Sequence, residues 1–222
     1  MEYGILHVRG DTMRDIPVFC SEYGAASLIL KKIPYTKEAY IYIRDTQTPN
    51  ELLKECRDFC VAAGAETIYA TGHEILASYP RYTTVLRMQC DRGSLPQTDA
   101  MLFPVQDGTW EQWRKVYNEK MLRVPTAAYL GYLEKDKVMG RAYFVHDKGT
   151  LLGIGMITEG NIDAIASVVK GAGMEVLLAL SSLTGFDTIT LLVADNNLPA
   201  VNLYRRAGFL TVSEQESWYK IF

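Results

Sequence analysis

The sequence is poor in the features that announce a specialised class. It has four cysteines and three histidines in 222 residues. Cys20, Cys56, Cys60 and Cys90 are too few and too scattered for a disulfide scaffold, so a reducing, cytoplasmic setting is expected. Cys56 and Cys60 share a face if residues 50–63 are helical. No histidine or second cysteine pair stands near them in sequence to complete a zinc site, so buried thiols are expected and no metal. Charge of one sign is lacking too: 23 basic residues face 26 acidic ones, for a net charge of −3. That balance argues against nucleic acid as a partner, because backbone-phosphate binding needs a basic excess. No apolar run approaches the roughly 20 residues of a bilayer span, so no membrane partner is expected. Met1-Glu2-Tyr3-Gly4-Ile5 has no positive segment leading into an apolar core, and no secretory leader is expected there. The composition, 48% hydrophobic and 22% charged, is that of a globular chain long enough for one large domain or two modest ones.

Hydrophobic periodicity organises the second half most clearly. Residues 99–106 read as a strand, and 110–123 as a helix carrying Trp110, Trp113, Val116, Tyr117 and Met121 at helical spacing before Pro125. Strands follow at 141–146, 149–158 and 161–168, with Asp147-Lys148-Gly149 and Thr158-Glu159-Gly160-Asn161 as turns. A helix is predicted at 174–183, a buried strand at 188–193, a short helix at 197–207 and two final strands at 209–213 and 217–222. In the first half, strands are expected at 25–33 and 39–44, bent at Ile33-Pro34-Tyr35, then a helix opened by Thr48-Pro49-Asn50. Strands at 66–71 and 83–90 flank a helical turn at 73–79. Tyr35, Tyr40 and Tyr42 suggest a half-buried sheet surface. Asp91-Arg92-Gly93-Ser94-Leu95-Pro96 reads as the linker, dividing the chain into an N-terminal α/β domain, 1–96, and a second domain, 97–222. The element order of 149–222 recurs in the first half, as a degenerate half-repeat would show. Shared order without matched residues leaves an unrelated α/β domain as the alternative.

The chemistry concentrates between Ile162 and Phe209. A strand ends in Lys170-Gly171-Ala172-Gly173, and a helix begins there. Glycine lets a backbone approach a ligand and take positive φ. The first amides of a helix lack internal partners and sit at the positive end of its dipole, as a phosphate requires. Gly-x-Gly alone fits a plain helix-entry turn equally well, and neither the Walker A nor the dinucleotide fingerprint is complete. Farther on, Asn197-Leu198-Pro199-Ala200-Val201-Asn202-Leu203-Tyr204-Arg205-Arg206-Ala207-Gly208-Phe209 follows a buried strand.

This stretch resembles the closing motif of the GNAT superfamily of N-acyltransferases, with Asn-x-x-Ala, Leu-Tyr and Gly-Phe at matching spacing. The glycine loop looks like that family's acyl-CoA pyrophosphate cradle, and the resemblance spans about 99–222. It implies an α+β acyltransferase fold, a mixed central sheet flanked by helices, with acetyl-CoA as the co-substrate. It also implies that Lys170, Gly171, Ala172 and Gly173 hold the phosphates. Ile165, Ala166 and Ser167 would face pantetheine or the thioester carbonyl, Asn197 would touch the coenzyme or cap its helix, and Tyr204 would be the catalytic acid for the departing thiolate. Val168 stands where the family usually has Arg or Gln, and the turn before the loop is shortened. Lys170 reads equally as a phosphate contact or a solvated lysine, and Tyr204 as an acid or a core-edge aromatic. The general base stays open between Asp163, Glu159 and water. Tyr117, Tyr129 and Tyr132 are candidates for an acceptor pocket, or for core. His7, His73 and His146 show no triad spacing and read as structural. The expected function is direct acyl transfer to an amine of a small molecule or protein, with a homodimer as a further expectation. A non-catalytic acyl-CoA-binding protein is the alternative.

Overall fold

Residues 13–222 are described in this computed structural model; Met1–Ile5 and His7, discussed above, lie outside them. Two compact units are present: residues 13–82 with Ser217–Phe222, and Thr83–Glu216. They part between Tyr82 and Thr83, upstream of the linker-like stretch that set the sequence boundary at residue 96.

The first unit contains β1 (Ile16–Ser21), β2 (Gly24–Ile29), the single-turn α1 (Ile33–Thr36), β3 (Glu38–Asp45), α2 (Pro49–Ala62) and β4 (Thr67–Thr71). β1, β2 and β3 form an antiparallel run, and β3 pairs in parallel with β4 from Glu38–Thr67 to Tyr42–Thr71. The last residues of the chain pair with the other edge of β4, Tyr219 opposite Ala70. Leu52, Leu53, Cys56 and Cys60 recur on one face of α2 and close over Leu28, Ile41, Ile43, Ile68 and Ala70 of the sheet. Tyr40 and Tyr69 lie on the opposite sheet face, with rings 5.2 Å apart. Two expectations are corrected here. The strand of 25–33 stops at Ile29, and Pro34, with its fixed φ, starts a helical turn instead. β1 was not foreseen, because Pro17 and an exposed Val18 blur its alternation at the edge of the sheet.

The second unit begins within β5 (Arg81–Asp91), and a 3-10 turn at Arg92–Ser94 continues it. In place of a loose linker, the Asp91 carboxylate accepts the Gly93 amide (2.8 Å) and fixes the turn. There follow β6 (Met101–Pro104), α3 (Trp110–Met121), β7 (Ala142–Asp147), β8 (Thr150–Thr158), β9 (Asn161–Ser167), α4 (Gly173–Ser182), β10 (Thr188–Ala194), α5 (Leu198–Arg206) and β11 (Leu210–Lys220), whose last residues belong to the first unit. The strands lie in the order β5-β10-β9-β8-β7-β6, antiparallel except for β9 beside β10. This is the expected mixed sheet flanked by helices. The two closing strands of the sequence reading are one: no glycine or proline interrupts Ser213-Glu214-Gln215-Glu216-Ser217.

Helices pack on both faces of this sheet. Val176, Leu177 and Leu180 of α4, with Val201 and Tyr204 of α5, pack on Met88, Ile162, Ile189, Leu191 and Val193. Trp110, Trp113, Tyr117 and Met121 of α3 pack on Phe144, Ile154 and Ala164 of the other face. Gly153 and Gly155 let α4 lie close to β8, since a β-carbon on Gly153 would stand 2.7 Å from Val176 Cγ2, and one on Gly155 2.8 Å from Leu180 Cδ2. Among the described residues no helix is long and apolar enough to cross a membrane.

Candidate functional site

The site is a fork between two parallel strands. β9 and β10 are in register only at Asn161–Thr190 and Ile162–Leu191. The cause is a β-bulge: β8 pairs Ile157 with Ile162 but Met156 with Ala164, leaving Asp163 as the extra residue. A bulge bends its strand and ends regular pairing. Beyond it, β9 follows β8 as far as Ser167 opposite Gly153, while β10 follows β5 as far as Ala194 opposite Val85. Half of the amides and carbonyls of Ala164–Ser167 therefore face a gap instead of a neighbouring strand. Ile165, Ala166 and Ser167, singled out in the sequence, are half-buried on this diverging stretch. Ile165 packs toward α4, and Ala166 toward α3.

At the open end of the fork β9 runs into the glycine loop. The Val168 and Val169 amides both donate to Leu152 O (2.8 and 3.3 Å), and the Ala172 amide closes a turn onto Val169 O (3.2 Å). Gly171 sits at φ +89°, where any other residue would be strained, and space around it is open. A β-carbon on Gly173 would stand 3.1 Å from Leu203 Cδ2 of α5, so this glycine brings the two helices together. The helical ladder begins with Val176 N donating to Ala172 O (3.0 Å), which leaves the amides of Gly173, Met174 and Glu175 ahead of it. Lys170 is exposed beside them. Glu175, whose carboxylate accepts the Thr98 hydroxyl, puts a negative charge in the same turn. These two charges oppose each other, so attraction for an anion falls to the amides and the dipole.

α5 supplies the remaining pieces. Tyr204 is 5% exposed, its ring centroid 5.9 Å from that of Phe209. Burial in this apolar cluster pushes its phenol well above the usual range, so it is protonated at neutral pH. Asn197 stands at the N-cap of α5, and its side chain makes no capping hydrogen bond. The corner before it is tied down by Asp195: its Oδ1 accepts the Thr83 hydroxyl (2.8 Å) and the Thr84 amide (3.0 Å), and its own amide donates to Thr84 O (2.9 Å).

The two base candidates differ in setting. Asp163 is the bulged residue at the crotch of the fork. Its carboxylate accepts Thr158 Oγ1 and Asn161 Nδ2, both at 2.6 Å, and lies 3.7 Å from Arg141 Nη1. Glu159 is exposed in the turn at the closed end of β9. Tyr117 stacks on Trp113 at 5.2 Å inside the α3 core, with burial and then the Glu134 and Asp163 carboxylates raising its phenol to about 12. Tyr132 is exposed and Tyr129 half-buried. His73 caps a turn by accepting the Ile75 amide, and the His146 ring lies 5.1 Å from that of Phe103 and 6.5 Å from that of Phe144. Sequence reading missed the bulge, the Asp195 anchor and Gly153/Gly155. Only the glycines carry a recognisable signal, since two glycines within a strand mark a close backbone approach.

No family model and no curated protein matches the sequence. Solved structures do. A GCN5-related N-acetyltransferase from Sphaerobacter thermophilus is similar over 88% of this chain and 75% of its own, at 13% identity and a TM-score of 0.57. A functionally unknown conserved protein from Staphylococcus epidermidis aligns over 91% of both chains, at 11% identity and a TM-score of 0.54. A tandem GNAT protein from the clavulanic acid biosynthesis pathway aligns over 91% of this chain and 81% of its own, at 14% identity and a TM-score of 0.50.

Proposed function

We propose, from the premise that the chain carries the GCN5-related N-acetyltransferase (GNAT) fold, that its second unit moves an acetyl group from acetyl-CoA to an amine. The observation that carries this reading is the conjunction of an open strand fork with a glycine loop and helix start at its mouth. The residues fit such a co-substrate. Gly171 leaves open space where a β-carbon would intrude, and the amides of Gly173, Met174 and Glu175 are suited to phosphate oxygens. Val168 contributes no charge, so the backbone carries that contact. Ile165, Ala166 and Ser167 would line the pantetheine, and the amides of Ile165 and Ser167, which alternate away from β8, would polarise a carbonyl oxygen.

Acetyl-CoA supplies the thioester. In the balanced transfer a C–N bond forms, the C–S bond breaks, the amine gives up one proton and the sulfur gains one. Tyr204 sits on the helix that follows β10, and its phenol holds its proton more tightly than an alkyl thiol, whose reference pKa is about 8.5. Its role is therefore to donate a hydrogen bond to the developing thiolate, and the proton that the sulfur gains comes from water, so the coenzyme leaves as its thiol. The amine's proton leaves through water or Asp163, the carboxylate at the crotch. In β3–β4 of the first unit the parallel pairing stays closed along the whole of β4, so one coenzyme per chain is expected.

The test is Tyr204→Phe, assayed with acetyl-CoA and a panel of primary amines. An enzyme loses turnover at least tenfold while its thermal shift with acetyl-CoA persists. A second reading, an acyl-CoA-binding protein without turnover, is favoured by Val168 and by the Glu175 charge. It predicts the thermal shift with no transfer in either form.

A further inference from the structure

β10 reads in sequence as a strand buried on both faces, yet Leu192 is 55% exposed. The register explains why. Ile189, Leu191 and Val193 face α4 and α5, as do their partners Cys90, Met88 and Leu86 on β5. The alternate residues form cross-strand pairs on the other face, Thr190 with Gln89 and Leu192 with Arg87. The helix on that side, α3, covers Phe144, Ile154 and Ala164 of β7, β8 and β9, and does not extend over β10 and β5. The fork between β9 and β10 therefore opens onto a strip of sheet that no helix covers among the described residues. The side chains of Arg87 and Gln89 are exposed on it and make no hydrogen bond or ion pair among the described residues.

An amine that attacks a carbonyl held in this fork must come in over that strip, because the opposite face is filled by α4 and α5. Its nitrogen then lies over the edge of β10, and the guanidinium of Arg87 springs from the next strand, about 5 Å farther on. We infer, resting on the acyltransferase reading above, that the acceptor is a primary amine bearing a carboxylate several bonds from its nitrogen, with Arg87 receiving the carboxylate and Leu192 the intervening methylenes. An uncommitted guanidinium pairs with a carboxylate through two parallel N–H donors, a stronger contact than a neutral hydrogen bond.

The test uses the full chain and matched amines, 6-aminohexanoate against hexylamine and 4-aminobutyrate against butylamine. The wild type is expected to favour the carboxylate-bearing member by roughly tenfold or more in kcat/KM. Arg87→Met abolishes that preference through KM, and Arg87→Lys restores part of it. Binding of 6-aminohexanoate to the coenzyme-free protein, followed by NMR titration, is read in parallel and must weaken in Arg87→Met. Equal use of both members of a pair, or a preference that survives Arg87→Met, overturns the inference. Failure of the acyltransferase reading is separately visible as no transfer to any amine. In that event the NMR titration decides: Arg87-dependent binding upholds carboxylate recognition, and its absence overturns it.

Discussion

The closeness of α4 to the sheet depends on Gly153, and one methyl group tests it. A β-carbon there would collide with the Ala166 carbonyl oxygen and come to 2.7 Å from Val176 Cγ2. Carbon pairs are most favourable at about 3.5–4.0 Å, so the overlap approaches 1 Å on the helix side. The Ala166 carbonyl belongs to the backbone of β9 and cannot rotate away. Overpacking typically costs about 1–3 kcal/mol, and a clash against backbone on one side and a buried side chain on the other places Gly153→Ala near 3. At about 2–4 °C per kcal/mol for a chain of this size, the thermal transition of the second unit should fall by roughly 6–12 °C. The effect should reach the site as well, because Gly153 pairs with Ser167 where β9 enters the glycine loop. The acetyl-CoA thermal shift should therefore shrink in the same variant. Gly155→Ala meets the buried Leu180 side chain rather than backbone at its three nearest atoms and should lose about 1–3 kcal/mol. Gly185→Ala meets nothing within 4 Å and serves as the control, expected within about 0.5 kcal/mol of wild type. Differential scanning calorimetry of the three variants decides the matter. A Gly153→Ala transition within 2 °C of wild type would show that α4 does not rest on that strand as described.

Other parts of the chain respond to simpler probes. Lys32 is 2% exposed, near the Tyr40 ring and the Glu38 carboxylate, and burial lowers its pKa to about 8 against an ordinary 10.5. The unfolded chain therefore holds a proton between those values that the folded unit has released, so stability rises with pH across that window and falls as pH drops through 8. Urea midpoints of the first unit should climb from pH 7 to pH 9 and level off in Lys32→Met. Above pH 10 the trend reverses, because Tyr40 and Tyr69, both raised by burial, stay protonated in the fold while unfolded tyrosines ionise. Burial also pushes the thiols of Cys56 and Cys60 up to about 12 and that of Cys90 to about 11, while Cys20 is exposed. A thiol reagent at pH 8 should titrate one cysteine in the native protein and four in urea.

The sequence by itself determined most of the local structure and the glycine loop. Apolar residues at 52, 53, 56 and 60 can share a face only in a helix, and positive φ at Gly171 restricts the residue that stands there. The spacing from Asn197 to Phe209 marked the closing strand–helix–strand in the same way. These are properties of neighbours in the chain, and neighbours are what a sequence displays. The tertiary structure alone decided the fork. Nothing in Ile162-Asp163-Ala164 announces an extra residue; it becomes a bulge only when Met156 and Ile157 on the adjacent strand fix the count against it. Leu192 looks like core until α3 is seen to end its cover at β9, which leaves an apolar strand residue on exposed sheet surface. Asp195 looks like one more loop carboxylate until Thr83 and Thr84, far away along the chain, bring their donors to it. Register, cover and long-range donors are relations between segments that the chain's order does not contain, so they had to be read from the folded protein.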